Sequence, residues 1–132
     1  MPIVVEYLQS LSYQDQGDLR KIYRDAPAWL LPPFTDALQL IESCLEDETL
    51  VTARMNDRLL GAARVKRRHD VWELSHLCVR TLTRRRGIAE QLVMDAQKKA
   101  HAAGCELRLL APAQPPEVQA LASKTQVSLL IC

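Results

Sequence analysis

The densest chemical signal in the sequence is Arg84-Arg85-Arg86-Gly87-Ile88-Ala89, reached through Leu77-Cys78-Val79 and Thr83 and followed by Glu90. It stands where a strand-like pattern gives way to a helical one. A helix N-terminus leaves four backbone N–H groups without intrahelical partners and carries the positive end of the helix dipole. A pyrophosphate accepts those hydrogen bonds directly. Gly87 lets the backbone approach the anion with no Cβ between, and Ala89 keeps the next close position small. The three arginines add charged donors at the same point. A bare arginine-glycine run also suits a solvated basic turn; the strand before it and the amphipathic helix after it favour the anion site.

Acid–base candidates are sparse. On the strand Val71 to Val79, a two-residue period puts Glu73, Ser75, Leu77 and Val79 on one face and His76 on the other. Glu73 or His76 could take a proton through a water. An exposed strand carboxylate and a packed, hydrogen-bonded histidine are the plainer readings of the two. His69 and His101 fall in a turn and on a helix face, and read as solvated. The only tyrosines are Tyr7, Tyr13 and Tyr23, all ahead of the arginine turn. Cys105 and Cys132 could donate a proton in principle, but nothing in the sequence places them to do so.

Other chemistries find no support. There is no phosphate loop of the Gly-Lys-Ser/Thr type, no GxSxG and no HExxH. Cys44, Cys78, Cys105 and Cys132 have neither CxxC spacing nor a histidine at metal-ligand spacing, so no metal site is expected. They read as reduced thiols of a cytoplasmic protein. Trp29 and Trp72 do not alternate with basic residues, which argues against single-strand nucleic-acid binding. Lys66-Arg67-Arg68 reads as a solvated hairpin end. The formal charge of +1 supplies no field that would steer the chain to nucleic acid or acidic membranes.

The elements that must position the arginine turn follow from periodicity. The 132 residues suit one domain over 1–132, and 48% apolar with 25% charged residues is an ordinary globular composition. No apolar run approaches the ~20 residues of a membrane span, and the N-terminus does not read as a signal peptide. Ile3 to Leu8 predicts a strand. Ser12 and Asp15 predict a helix start whose stripe is Leu19, Ile22 and Tyr23. Three prolines break the chain between Asp25 and Pro33, around Trp29, Leu30 and Leu31. Thr35 is expected to cap a second helix with Leu38, Ile41 and Leu45 inward. Strands at 50–55 and 59–65 flank an Asn56-Asp57 turn, and a third antiparallel strand follows at 71–79. A long helix over 87–103 stops at Gly104. A strand at 106–110, a short helix from Pro116 to Ser123 and a last strand at 126–132 complete the order β-α-α-β-β-β-α-β-α-β. The fold class expected is α/β (α+β), an antiparallel meander followed by an α/β crossover.

With these elements in place, Leu77-Cys78-Val79 followed by Arg84 to Ala89 resembles the R/Q-x-x-G-x-G/A signature of the GNAT acetyltransferase superfamily. Ser12 to Gln16, Asp18 to Ile22, Ala53 to Leu60 and Thr83 to Gly87 further resemble the PanZ (PanM) family. That resemblance implies a mostly antiparallel mixed sheet flanked by helices, shortened at the C-terminus, and acetyl-CoA or CoA as cofactor. It implies that Leu77, Cys78 and Val79 pair with the pantetheine arm. Thr83, Arg84, Arg85, Arg86, Gly87, Ile88, Ala89 and Glu90 would wrap the pyrophosphate, and a β-bulge would open the slot. It also implies a regulatory or maturation role in pantothenate biosynthesis, on the aspartate decarboxylase zymogen, with Arg54 and Asn56 facing that partner. The alternative is an active N-acetyltransferase acting on an amine; the lack of a late tyrosine weighs against it. The resemblance also sets apart the longer Pro32 to Leu45 segment and the single strand after the last helix. A homodimer paired through that C-terminal strand would cover its open edge.

Overall fold

The computed structural model describes residues 3–24, 26–27, 29–80, 87–111 and 116–131. The arginine run and Thr83 therefore lie outside the described residues, as does Cys132. Among the described residues ten elements follow in the expected order: β1 (Val4–Tyr7), α1 (Tyr13–Arg24), α2 (Ala37–Glu46), β2 (Leu50–Met55), β3 (Arg58–Arg67), β4 (Val71–Val79), α3 (Ile88–Ala102), β5 (Glu106–Ala111), α4 (Pro116–Thr125) and β6 (Ser128–Ile131). The sheet order is β1-β2-β3-β4-β5-β6, antiparallel through β4 and parallel from β4 to β6. The parallel half needs crossover helices, and α3 and α4 supply them.

Local chemistry accounts for the ends of the elements. The Ser12 hydroxyl accepts from the Asp15 N–H at 3.1 Å and starts α1. Asn56 and Asp57 both take positive φ, 52° and 66°, which the two-residue turn between β2 and β3 demands. Gly104 at φ 78° ends α3, with Cys105 N–H returning to the Ala100 carbonyl at 2.8 Å. The cap of α2 differs from expectation. Asp36 holds that position, its carboxylate accepting from the Gln39 N–H at 2.8 Å, while Thr35 donates to the Gln39 side chain. A carboxylate is the stronger acceptor beside a helix dipole. The buried face of α2 is accordingly Leu40, Ile41 and Cys44, and Leu38 is exposed.

The sheet buries both faces. Leu19, Ile22 and Tyr23 of α1 and Leu40 of α2 pack on Leu50, Leu59 and Ala62. On the opposite face Ile88, Leu92, Val93, Ala96 and Ala100 of α3 pack on Val51, Ala63, Val65 and Leu74. Each fully buried Leu or Ile contributes about 1.5–3 kcal/mol of apolar transfer. Cys44, Cys78 and Cys105 are buried and outside any disulfide among the described residues, and burial raises the Cys44 thiol to about 11. No helix among the described residues is long and apolar enough to cross a membrane.

Candidate functional site

The site begins where β4 changes neighbours. Its parallel register with β5 runs from Val71–Glu106 to Leu74–Leu109 and ends there. Its antiparallel register with β3 continues to Val79–Gly61. In between, Ala62 faces Cys78 and Arg64 faces Ser75, so His76 and Leu77 together oppose Ala63. That extra residue is a β-bulge, and His76 takes φ 55° to make it. Beyond Leu74 a cleft of about 660 Å³ opens between the strands.

The bulge corrects one expectation. A two-residue period cannot run through an inserted residue, so Glu73 and Ser75 do not share a face with Leu77 and Val79. Leu74 and Val79 instead belong to the same core, under α3, while Cys78 points to the α1 side.

The strand backbone from Leu74 to Val79 lines one side of the cleft, and Gly87 to Glu90 of the α3 start close one end. Val118 and Leu121 of α4 form a wall, and Pro27, Trp29 and Leu30 form another. Of the cofactor residues expected from the sequence, Leu77, Cys78, Val79, Gly87, Ile88, Ala89 and Glu90 all line this one cleft. Thr83, Arg84, Arg85 and Arg86 lie outside the described residues, in the chain between Arg80 and Gly87.

Two glycines place the α3 start. Gly87 is left-handed at φ 77°, with open space where a Cβ would stand. Glycine is therefore favoured there by the backbone angle, not by any neighbour that a Cβ would meet. Gly61 acts through space instead. A Cβ there would stand 2.9 Å from Ile88 Cγ2 and 3.3 Å from Val79 Cγ2. Its absence lets the first turn of α3 settle against β3. Across the mouth, Lys124 of α4 pairs with Glu90 at 3.1 Å. The lysine is largely exposed, so the pair is weak. It sets a cation beside a carboxylate at the start of α3.

The acid–base candidates separate. Glu73 accepts from Arg68 Nε at 2.6 Å and is not among the cleft-lining residues. His76 lines the cleft, but both ring nitrogens are engaged. Nε2 donates to the Pro32 carbonyl at 2.9 Å, which fixes the tautomer, and Nδ1 accepts from the Ser75 hydroxyl at 2.8 Å. Burial holds this imidazole below its usual 6.5 against the opposing pull of the Pro32 carbonyl, so it is neutral at pH 7. The Tyr23 hydroxyl is committed to the His76 carbonyl at 2.8 Å. Tyr7 lies under Arg67 and Lys99, and Tyr13 is 93% exposed on α1.

The β2–β3 hairpin is buttressed by α1. Arg54 forks onto both carboxylate oxygens of Asp15 at 3.0 and 3.1 Å and reaches Glu6 at 2.7 Å. Arg58 pairs with Asp18, which also accepts from the Leu59 N–H at 3.1 Å. Arg54 is thus bound within the chain, and Asn56 stands exposed at the turn.

Sequence reasoning missed the wall of Pro27, Trp29 and Leu30, Lys124, and the bond of Tyr23 to the His76 carbonyl. An apolar Trp-Leu-Leu run inside a proline break was the signal for the first. Nothing in the spacing marks the other two.

Residues 2–125 match the family model described as the acetyltransferase (GNAT) domain, PanZ. The PanD regulatory factor of Salmonella typhimurium is 38% identical over 95 residues, which cover 72% of this chain and 66% of that relative, just under two thirds of its length. The PanD regulatory factor of Escherichia coli is 29% identical over 105 residues, 80% of this chain and 74% of the relative. Among solved structures, the PaiA N-acetyltransferase of Thermoplasma acidophilum in complex with coenzyme A is similar at a TM-score of 0.66 and 19% identity. That likeness covers 94% of this chain and 88% of the other, and it establishes the fold.

Proposed function

The chain belongs to the PanZ family of GNAT domains, and on that footing we propose that it binds acetyl-CoA or CoA and regulates or matures a partner, the aspartate decarboxylase zymogen. The observation that carries this reading is the parting of β4 from β5 at the His76 bulge, into a cleft that ends on the N-terminus of α3. The fit to the cofactor is chemical. The cleft runs along Leu74 to Val79 of β4 and its walls are largely apolar, which suits a pantetheine arm. Its end is a helix start with a left-handed glycine, suited to a diphosphate. Leu77, Cys78 and Val79 would take the arm. Gly87 to Glu90 would take the diphosphate, with Thr83 to Arg86 supplying further donors. The acyl thioester is what the cofactor brings to the site.

Regulation is favoured over acetyl transfer by what surrounds the thioester end. Glu73 is held by Arg68 away from the cleft, and both nitrogens of His76 are in use. The Tyr23 hydroxyl donates to the strand rather than facing a leaving thiolate. On this reading the hairpin is the partner face, with Asn56 outward and Arg54 bracing it. Co-purification with the aspartate decarboxylase zymogen, with and without acetyl-CoA, tests the proposal. The expected result is a complex that strengthens with acetyl-CoA; no complex under either condition would contradict it.

A further inference from the structure

The bulge that opens the cleft is fastened from the α1 face of the sheet. Its pivot, His76, sits at φ 55°, a conformation that a β-carbon disfavours. Something must hold it there, and several contacts converge on it. The Tyr23 hydroxyl, on the last turn of α1, donates to the His76 carbonyl at 2.8 Å. One residue earlier on α1, the Ile22 carbonyl accepts from Cys78 Sγ at 3.2 Å. The His76 ring is held by Pro32 and Ser75 and meets the Phe34 ring edge-on at 5.3 Å. Tyr23 is 3% exposed, so its hydroxyl has no water to exchange with at comparable cost. The bonded carbonyl belongs to the residue that breaks the pleat. Holding it fixes how the following residues, Leu77 to Val79, turn their backbone toward the cleft.

From this geometry we infer that Tyr23 is a positioning residue for the strand side of the cleft: it holds the His76 bulge in its left-handed form and so keeps β4 apart from β5 where the pantetheine arm would lie. The inference rests on the reading of the cleft as a coenzyme A site. It is confined to the strand side and does not involve the α3 start, some way along the cleft, where the diphosphate would sit. The two ends can therefore be read separately with two probes. Acetyl-CoA uses both. ADP carries the diphosphate without the arm and uses only the helix end.

The test is calorimetry of Tyr23→Phe with acetyl-CoA and with ADP. The substitution keeps the ring and removes one hydrogen bond, so acetyl-CoA should bind about five- to tenfold more weakly. ADP affinity should stay as in wild type. Equal losses for both ligands would mean a general loss of structure, and no loss for either would mean an idle hydroxyl; each overturns the inference. His76→Gly and His76→Val give a second measure that leaves Tyr23 in place. Both remove the ring contacts, but glycine accepts a positive φ and valine resists it. The glycine variant should bind acetyl-CoA more tightly than the valine variant, with ADP bound equally by the two. Equal acetyl-CoA binding by the pair would overturn the inference. Failure of the wild-type protein to bind acetyl-CoA at all would instead refute the coenzyme site itself, a result distinct from each of these.

Discussion

Asp18 shows how one buried carboxylate can organise a surface. It is 1% exposed, accepts from Arg58 and the Leu59 N–H, and so ties α1 to the start of β3. Burial alone would raise its pKa. The hydrogen bonds from Arg58 and Leu59 outweigh that and hold it below the usual 3.8. A depressed carboxylate contributes stability that is complete above the unfolded-state pKa and is lost as pH falls through the folded value. Asp18→Asn should therefore cost about 1.5–3 kcal/mol near neutral pH, the range for hydrogen bonds to charged groups. The gap from wild type should narrow below about pH 4. Urea unfolding at pH 7 and pH 3 reads both. A gap unchanged between the two would place the contribution in packing instead. Neither Asp18 nor its partner was legible as a pair: they are 40 residues apart, and only the closed sheet brings them together.

At the scale of elements, periodicity served wherever one element obeyed one period. The α3 stripe of Ile88, Leu92, Ala96 and Ala100 was readable because a 15-residue helix repeats its buried positions several times. The Asn56-Asp57 turn was readable because few residue pairs accept two positive φ angles. The β4 faces were misread because an inserted residue shifts the period within one strand, and histidine does not announce a left-handed bulge. The family resemblance implied a bulge here; the residue pattern did not. Likewise, Thr35 and Asp36 are adjacent cap formers, and spacing alone does not choose between them. The placement of α3 rests on Gly61. Ile88 is β-branched and 2% exposed, so its methyl cannot rotate away from an added Cβ. Gly61→Ala should destabilise the protein by about 1–3 kcal/mol, as overpacking does. It should also weaken coenzyme binding by moving the α3 start. Thermal unfolding and acetyl-CoA titration together check this; a fall in stability with unchanged affinity would separate Gly61 from the site.

At the scale of the molecule, α1 joins the two features that matter to the proposed function. Its first turns hold the hairpin through Asp15 and Asp18, and its last turn holds the bulge through Tyr23. The cleft and the proposed partner face are therefore both held by α1, the element through which the proposed function would couple them. The proposed function depends first on the cleft being a coenzyme site whose diphosphate end is the α3 start. Calorimetry with acetyl-CoA on wild type, Gly87→Asn and Gly87→Asp tests that most directly. Asn and Asp both tolerate the left-handed angle at position 87, so they differ chiefly in charge. Wild type should bind, Gly87→Asn should bind more weakly because its side chain crowds the approach, and Gly87→Asp should bind at least about tenfold more weakly than Gly87→Asn because its carboxylate also repels the diphosphate. Binding by Gly87→Asp as tight as wild type would contradict the placement of the site.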